Sequence, residues 1–186
     1  MRLARMTAAA VLLTVAAPAF AHPGHDGSGL AGGLMHPLTG MDHLLAMVAI
    51  GLFAAMRGGR ALWALPLTFV AAAALGFAAG RIGLVFPLAE PMVLASVLTL
   101  GLLVAAAVPV RLGAGMALVA LFGAAHGQAH AAEAGTHAIT AFAAGFLLTS
   151  AALHVAGLGL YRATGKAWAR LAGAATVAGG VALAFA

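Results

Sequence analysis

Residues 61–80 read ALWALPLTFVAAAALGFAAG, a run with no charged residue between Arg60 and Arg81. A helix of about 20 apolar residues is long enough to cross the hydrocarbon core of a bilayer. This stretch therefore predicts a transmembrane helix, and it sets the interpretation of the chain on either side.

Further apolar segments of similar length surround this one, so we expect about six transmembrane helices. They cover residues 31–56, 61–80, 84–108, 112–131, 137–160 and 168–186. With 64% hydrophobic and 7% charged residues and a mean hydropathy of +1.09, the 186-residue chain lacks the polar surface of a soluble domain. The predicted fold is all-α: a polytopic membrane helix bundle over residues 31–186, embedded in the lipid bilayer.

Residues 1–21 have the order of a secretory signal peptide: two arginines, an apolar stretch, then small residues before the cleavage point. We expect cleavage after Ala21, with an uncleaved first helix as the alternative. A leader over residues 22–30, which contains His22 and His25, would then begin the mature chain on the periplasmic side of the bacterial inner membrane.

The basic residues agree with this orientation. Six of those after the leader fall in connections that would face the cytoplasm, and only Arg81 falls in an outer one. The six are Arg57, Arg60, Arg111, Arg162, Lys166 and Arg170. The net charge of +5 does not indicate nucleic-acid binding, because no basic face interleaved with aromatic residues is present.

A first polar cluster, HPLTGMDH over residues 36–43, lies in the outer half of the first predicted span. On a regular helix His36 and His43 would be two turns apart on nearly one face, with Asp42 beside His43. Pro37 and Gly40 should loosen the helix there, which could free backbone carbonyls as further ligands.

A second cluster, HGQAHAAE over residues 126–133, lies at the outer end of the fourth predicted span. His126, His130 and Glu133 share one helical stripe, because they are four and three residues apart. His137 would join the stripe only if the helix continued past Gly135, so we treat it as a nearby supporting residue.

Two other ionisable residues could have purely structural roles. His154, inside the fifth predicted span, is either a packing residue or a metal ligand. Glu90, near the start of the third span, is better explained as favouring the positive end of its helix dipole.

Imidazole and carboxylate groups at membrane depth indicate a site for a divalent metal. The alternative is that these residues join helices by hydrogen bonds, but Ser, Thr, Asn or Gln usually serve that purpose. The chain has no cysteine, so Ni²⁺, Co²⁺, Zn²⁺ or Cu²⁺ would be held by nitrogen and oxygen atoms. A membrane-embedded zinc-dependent hydrolase and a metal sensor or accessory subunit are the alternatives to a transporter.

These motifs resemble the HupE/UreJ family of nickel and cobalt permeases, whose signatures are HPxxGxDH and HGxAHGxE. The first is matched in full, and the second is matched except that Ala131 replaces a glycine. The residues around Phe146 and His154 resemble the family's fifth-span pattern. The similarity covers nearly the whole chain.

The resemblance implies a permease, not an enzyme, that imports Ni²⁺ or Co²⁺ across the inner membrane, commonly to supply hydrogenase or urease. The metal would be cargo and no prosthetic group is expected, while a homo-oligomer is left open. As a hypothesis, His22 and His25 collect the metal and the two clusters form the transport site. The predicted metal ligands are His22, His25, His36, Asp42, His43, His126, His130, Glu133 and His154.

Overall fold

The computed structural model describes residues 29–134 and 138–186, and within these ranges the chain forms seven α-helices and no strand. The helices are α1 (Gly29–Thr39), α2 (Met41–Arg57), α3 (Ala61–Arg81), α4 (Ala89–Ala105), α5 (Leu112–Glu133), α6 (Ile139–Thr164) and α7 (Lys166–Ala184). The predicted all-α fold is confirmed. The signal sequence, the leader with His22 and His25, and His137 lie outside the described residues.

Four of these helices, α3, α5, α6 and α7, are each long and apolar enough to cross a membrane. The bent pair of α1 and α2 counts as a fifth span when taken together. Helix α4 has 17 residues, or roughly 25 Å at 1.5 Å per residue, which is shorter than the ~30 Å hydrocarbon core. The described residues therefore form a multi-pass membrane protein, and the count of six spans stays a prediction.

The first apolar segment is broken at Gly40. The single helix expected over residues 31–56 is instead two helices that meet at 79°, because Gly40 adopts an extended backbone (φ −83°, ψ 114°) between them. The carbonyl of His36 accepts hydrogen bonds from the Gly40 N–H (3.3 Å) and the Thr39 hydroxyl (3.0 Å). The expected distortion is present, but this carbonyl is engaged within the segment and is not freed for a metal.

Helix α2 lies at the centre of the bundle and packs against α3, α4, α6 and α7. Its residues Met47, Ile50 and Phe53 are almost completely buried. A helix that is apolar on every side needs partners on every side. Helix α2 therefore carries the site residue His43 in its first turn and forms the core of the fold along the rest of its length.

Helices cross at glycines, where the backbones touch directly. A Cβ atom at Gly127 of α5 would overlap the carbonyl of Ala73 in α3, and one at Gly157 of α6 would overlap the carbonyl of Val48 in α2. In lipid, association depends on close packing, because there is no hydrophobic effect between helices. These contacts hold α2, α3, α5 and α6 at fixed spacings.

The connections lie at two opposite ends of the bundle. At one end, Arg57, Tyr161 and Lys166 line a common cavity of about 320 Å³. At the other, the guanidinium of Arg81 donates to the carbonyls of Ala131 (3.3 Å) and Ala134 (3.4 Å), at the C-terminus of α5. This separation agrees with the alternation that the sequence predicted.

Two glycines on α6 provide a matched test of this packing. Gly157→Ala should lower the thermal unfolding temperature in detergent, because a Cβ there collides with α2 and overpacking costs about 1–3 kcal/mol. Gly159→Ala should leave it unchanged or raise it, because the added methyl meets open space and alanine favours a helix by roughly 1 kcal/mol. Equal shifts in the two variants would contradict the packing described here.

Candidate metal site

Four histidine rings from three helices meet in one cluster, which we call the histidine cluster: His36 of α1, His43 of α2, and His126 and His130 of α5. The ring centroid of His43 lies 4.4 Å from that of His130 and 4.8 Å from that of His126. The His36 centroid lies 4.5 Å from that of His130. The two polar clusters of the sequence therefore face each other.

The break at Gly40 brings His36 toward His43. On a straight helix, residues seven positions apart are separated by roughly 10.5 Å along the axis, whereas these two ring centroids are 5.9 Å apart. Gly40 also leaves room for the site, because a Cβ atom there would lie 3.0 Å from both Asp42 Oδ1 and His43 Nδ1. The 79° bend is thus part of how the site is built.

Helix α5 supplies the other half of the site from one face. The side chains of His126 and His130 are fully buried in the histidine cluster, whereas the side chain of Gln128 contacts the connection between α3 and α4. Its amide donates to the carbonyl of Leu84 (2.6 Å) and its oxygen accepts from the N–H of Phe86 (3.1 Å). Within the sequence HGQAH, the two histidines are therefore candidate metal ligands, and the glutamine holds the connection between α3 and α4.

Asp42 fixes the protonation of His43. Its carboxylate Oδ1 accepts hydrogen bonds from the backbone N–H (2.7 Å) and from ring Nδ1 (2.6 Å) of His43. A carboxylate can only accept, so in the neutral imidazole the proton is on Nδ1 and the lone pair is on Nε2. His43 Nε2 is buried and has no hydrogen-bond partner among the described residues. Asp42, predicted as a ligand, thus occupies a position behind a ligand.

Ser96 of α4 fixes the protonation of His126 in the same way. Its hydroxyl donates to the carbonyl of Val93 (2.6 Å) and lies 3.0 Å from His126 Nε2. A hydroxyl has one proton, so toward His126 the oxygen must accept, and Nε2 carries the hydrogen. The lone pair of His126 is then on Nδ1, which is buried without a partner in the described part of the chain.

Glu133 connects His130 to His36. Its Oε2 lies 3.1 Å from His130 Nδ1 and 2.9 Å from His36 Nε2. With Nδ1 of His130 donating to this carboxylate, the remaining lone pair is on Nε2, which is buried and unpartnered among residues 29–134 and 138–186. The predicted stripe of His126, His130 and Glu133 is therefore present, with α5 continuous through Ala131.

Two sets of ligand atoms overlap at His130. In the buried set, His43, His126 and His130 each offer one ring nitrogen, and these atoms lie within 4.8 Å of one another. In the exposed set, His36 and His130 each offer a ring nitrogen and Glu133 offers a carboxylate oxygen, again within 4.8 Å of one another, and the side chains of His36 and Glu133 are 29% and 45% exposed. Both sets could hold a divalent metal ion.

Three phenylalanine rings enclose the histidine cluster. Phe146 lies 4.0 Å from His130, Phe69 lies 5.3 Å from His126, and Phe142 lies 5.8 Å from His36, between ring centroids. Phe69 and Phe146 are fully buried. These rings keep the buried set away from lipid and water, which strengthens electrostatic interactions inside it.

The other predicted residues lie apart from this cluster. His154 is fully buried in α6 and contacts Phe69 rather than the metal-binding sets. Glu90 is exposed in the first turn of α4, as expected for a residue that favours the helix dipole. No contact is assigned to His22, His25 or His137, which fall outside the described residues.

The sequence did not reveal Ser96 or Phe69 as parts of the site. Both belong to helices without a polar motif, and a lone serine or phenylalanine in an apolar span has no distinguishing pattern. Ser96 is nevertheless the only serine between the leader and Ser150. Buried hydroxyls in such spans are the signal that could have suggested it.

Comparison with known proteins agrees with the motifs. A family model described as HupE / UreJ protein matches residues 10–183. The chain belongs to the HupE/UreJ family. Protein HupE of Rhizobium leguminosarum bv. viciae is 37% identical over 188 residues, which cover 98% of this chain and 98% of that protein. No solved structure matches this HupE/UreJ chain.

Ser96→Ala should weaken Co²⁺ binding to the purified protein by about 10- to 100-fold, as is typical when a group that orients a ligating histidine is lost. Ser150→Ala is the matched control, because Ser150 is equally buried but donates only to the carbonyl of Phe146 in its own helix (2.8 Å). The measurement is a Co²⁺ titration followed by absorbance. Equal affinities in the two variants would rule out the orienting role of Ser96.

Proposed function

We propose that this chain is an inner-membrane permease that imports Ni²⁺, Co²⁺ or both, through the two overlapping ligand sets. The observation that carries the proposal is the group of three buried imidazoles, each with one ring nitrogen that has no hydrogen-bond partner within the described residues. A buried polar atom without a partner costs about 1–3 kcal/mol. Three imidazoles that meet at one place, each with such an atom, are explained by a ligand that accepts lone pairs.

The chemistry of these atoms supports a first-row divalent metal. Neutral imidazole suits Ni²⁺, Co²⁺, Zn²⁺ and Cu²⁺, and no thiolate is present to favour Cu(I). Family membership favours nickel and cobalt among these ions. Such cargo agrees with the hydrogenase and urease names of the family, so we propose that the metal supplies enzymes of that kind.

The difference in exposure suggests an order of binding. An arriving ion would first meet the exposed set, where His36 and Glu133 reach solvent. It would then pass to the buried set by exchanging Glu133 and His36 for His43 and His126. His130 belongs to both sets, so it would take part in binding the ion before and after the exchange.

Two carboxylates balance the charge of the ion. Asp42 lies behind His43 and Glu133 behind His130, and together they carry two negative charges at the histidine cluster. A divalent cation in a low-dielectric interior is costly unless compensated. In the proposed orientation this cluster is on the periplasmic side and the end with Arg57 and Lys166 faces the cytoplasm.

A zinc-dependent hydrolase is less well supported by the surroundings of the site. Such an enzyme needs an open coordination position beside a substrate cleft. Here the rings of Phe69 and Phe146 pack against the imidazoles of His126 and His130, where a substrate would have to approach the metal.

Uptake of radiolabelled Ni²⁺ by intact cells that express the chain tests the proposal. His36→Ala, Asp42→Ala and His130→Ala should each abolish uptake at normal protein level, because each removes a ligand or the partner that orients one. Thr176→Val, which replaces a buried hydroxyl bonded within α7, should leave uptake unchanged. Undiminished uptake in the three site variants would contradict the assignment of these ligand sets as the transport site.

A further inference from the structure

His154 is a second place where a buried imidazole has no partner. Its side chain is fully buried in α6, and neither ring nitrogen has a hydrogen-bond partner within the described residues. Neutral imidazole always has one N–H and one lone pair. Leaving both unpaired is unfavourable, and a leucine would pack there without that penalty. Packing alone therefore does not account for a histidine here.

One aromatic ring connects His154 to the histidine cluster. The ring centroid of Phe69 in α3 lies 5.3 Å from that of His126 and 5.2 Å from that of His154, in both cases edge to face. The two imidazoles are thus neighbours across a single side chain. A phenylalanine side chain makes no hydrogen bond, and its two side-chain torsions are the ones that must change for a direct path between the imidazoles to open.

His154 also lies on the way to the opposite end of the bundle. Tyr161 is seven residues further along α6, on the same stripe and about 10.5 Å away along the axis. Tyr161 lines the cavity of about 320 Å³ that also contains Arg57 and Lys166. These two cations disfavour a resting metal ion in the cavity, so among the described residues His154 is the last nitrogen ligand before it.

We propose that His154 is an inner metal-binding residue, which takes the ion from His126 when the Phe69 ring moves aside and holds it before release. The inference rests on the proposed function. In the transfer, the bonds from the metal to His43, His130 and His126 Nδ1 break as a bond from the unprotonated ring nitrogen of His154 forms and water molecules take the vacated positions, and no proton or electron moves. A single imidazole binds more weakly than three, which suits a position that the ion must leave.

His154→Leu separates this role from packing, because leucine has similar bulk and no ligating atom. Two measurements on purified protein are compared: Co²⁺ affinity by titration, and radiolabelled Ni²⁺ uptake into proteoliposomes. We expect the affinity to stay within twofold of wild type, since the buried set is intact, while uptake falls at least tenfold. Uptake within twofold of wild type would overturn the role of His154.

Controls keep the outcomes distinct. If His154→Leu does not accumulate, His154→Gln replaces it under the same two criteria. Val155→Leu, at an exposed neighbour on α6, should change neither measurement. Failure of the wild-type protein to move Ni²⁺ would contradict the proposed function itself, whereas transport by wild type and His154→Leu alike would contradict only the inner position.

Discussion

Direct backbone contact between helices is the constraint on which this structure depends. At Gly127 and Gly157 there is no space for even a methyl group, because the carbonyls of Ala73 and Val48 occupy it. These crossings hold α5 against α3 and α6 against α2. Since His126 precedes Gly127 directly, the contact that joins α5 to α3 also determines where the imidazoles of α5 can point.

Within this packed arrangement of helices, the site depends on which ring nitrogens of the histidines form hydrogen bonds. Asp42, Ser96 and Glu133 each bind one nitrogen of a histidine, on three different helices. The other nitrogens are left with lone pairs inside an aromatic enclosure. All three groups fix the tautomer of a histidine, and the two carboxylates also compensate the charge of a bound cation. The proposed transport rests on two sets of unequal exposure that share His130.

Much of this arrangement could be predicted from sequence. Uninterrupted apolar segments predict the helices, and the i, i+4 and i+3 spacing places His126, His130 and Glu133 on one face. The approach of His36 to His43 could not be predicted, because it depends on the 79° bend at Gly40. Ser96 was missed since its contact to His126 joins residues from separate helices, and sequence spacing carries no information about such pairs.

X-ray absorption spectroscopy on the Ni²⁺-loaded, purified protein tests the central claim most directly, because it counts the imidazoles bound to the metal. We expect about three imidazole nitrogens near 2.0–2.1 Å, the usual metal–histidine distance, and one fewer in His126→Ala. An all-oxygen shell, or an imidazole count unchanged by His126→Ala, would contradict the assignment of the buried set as the transport site.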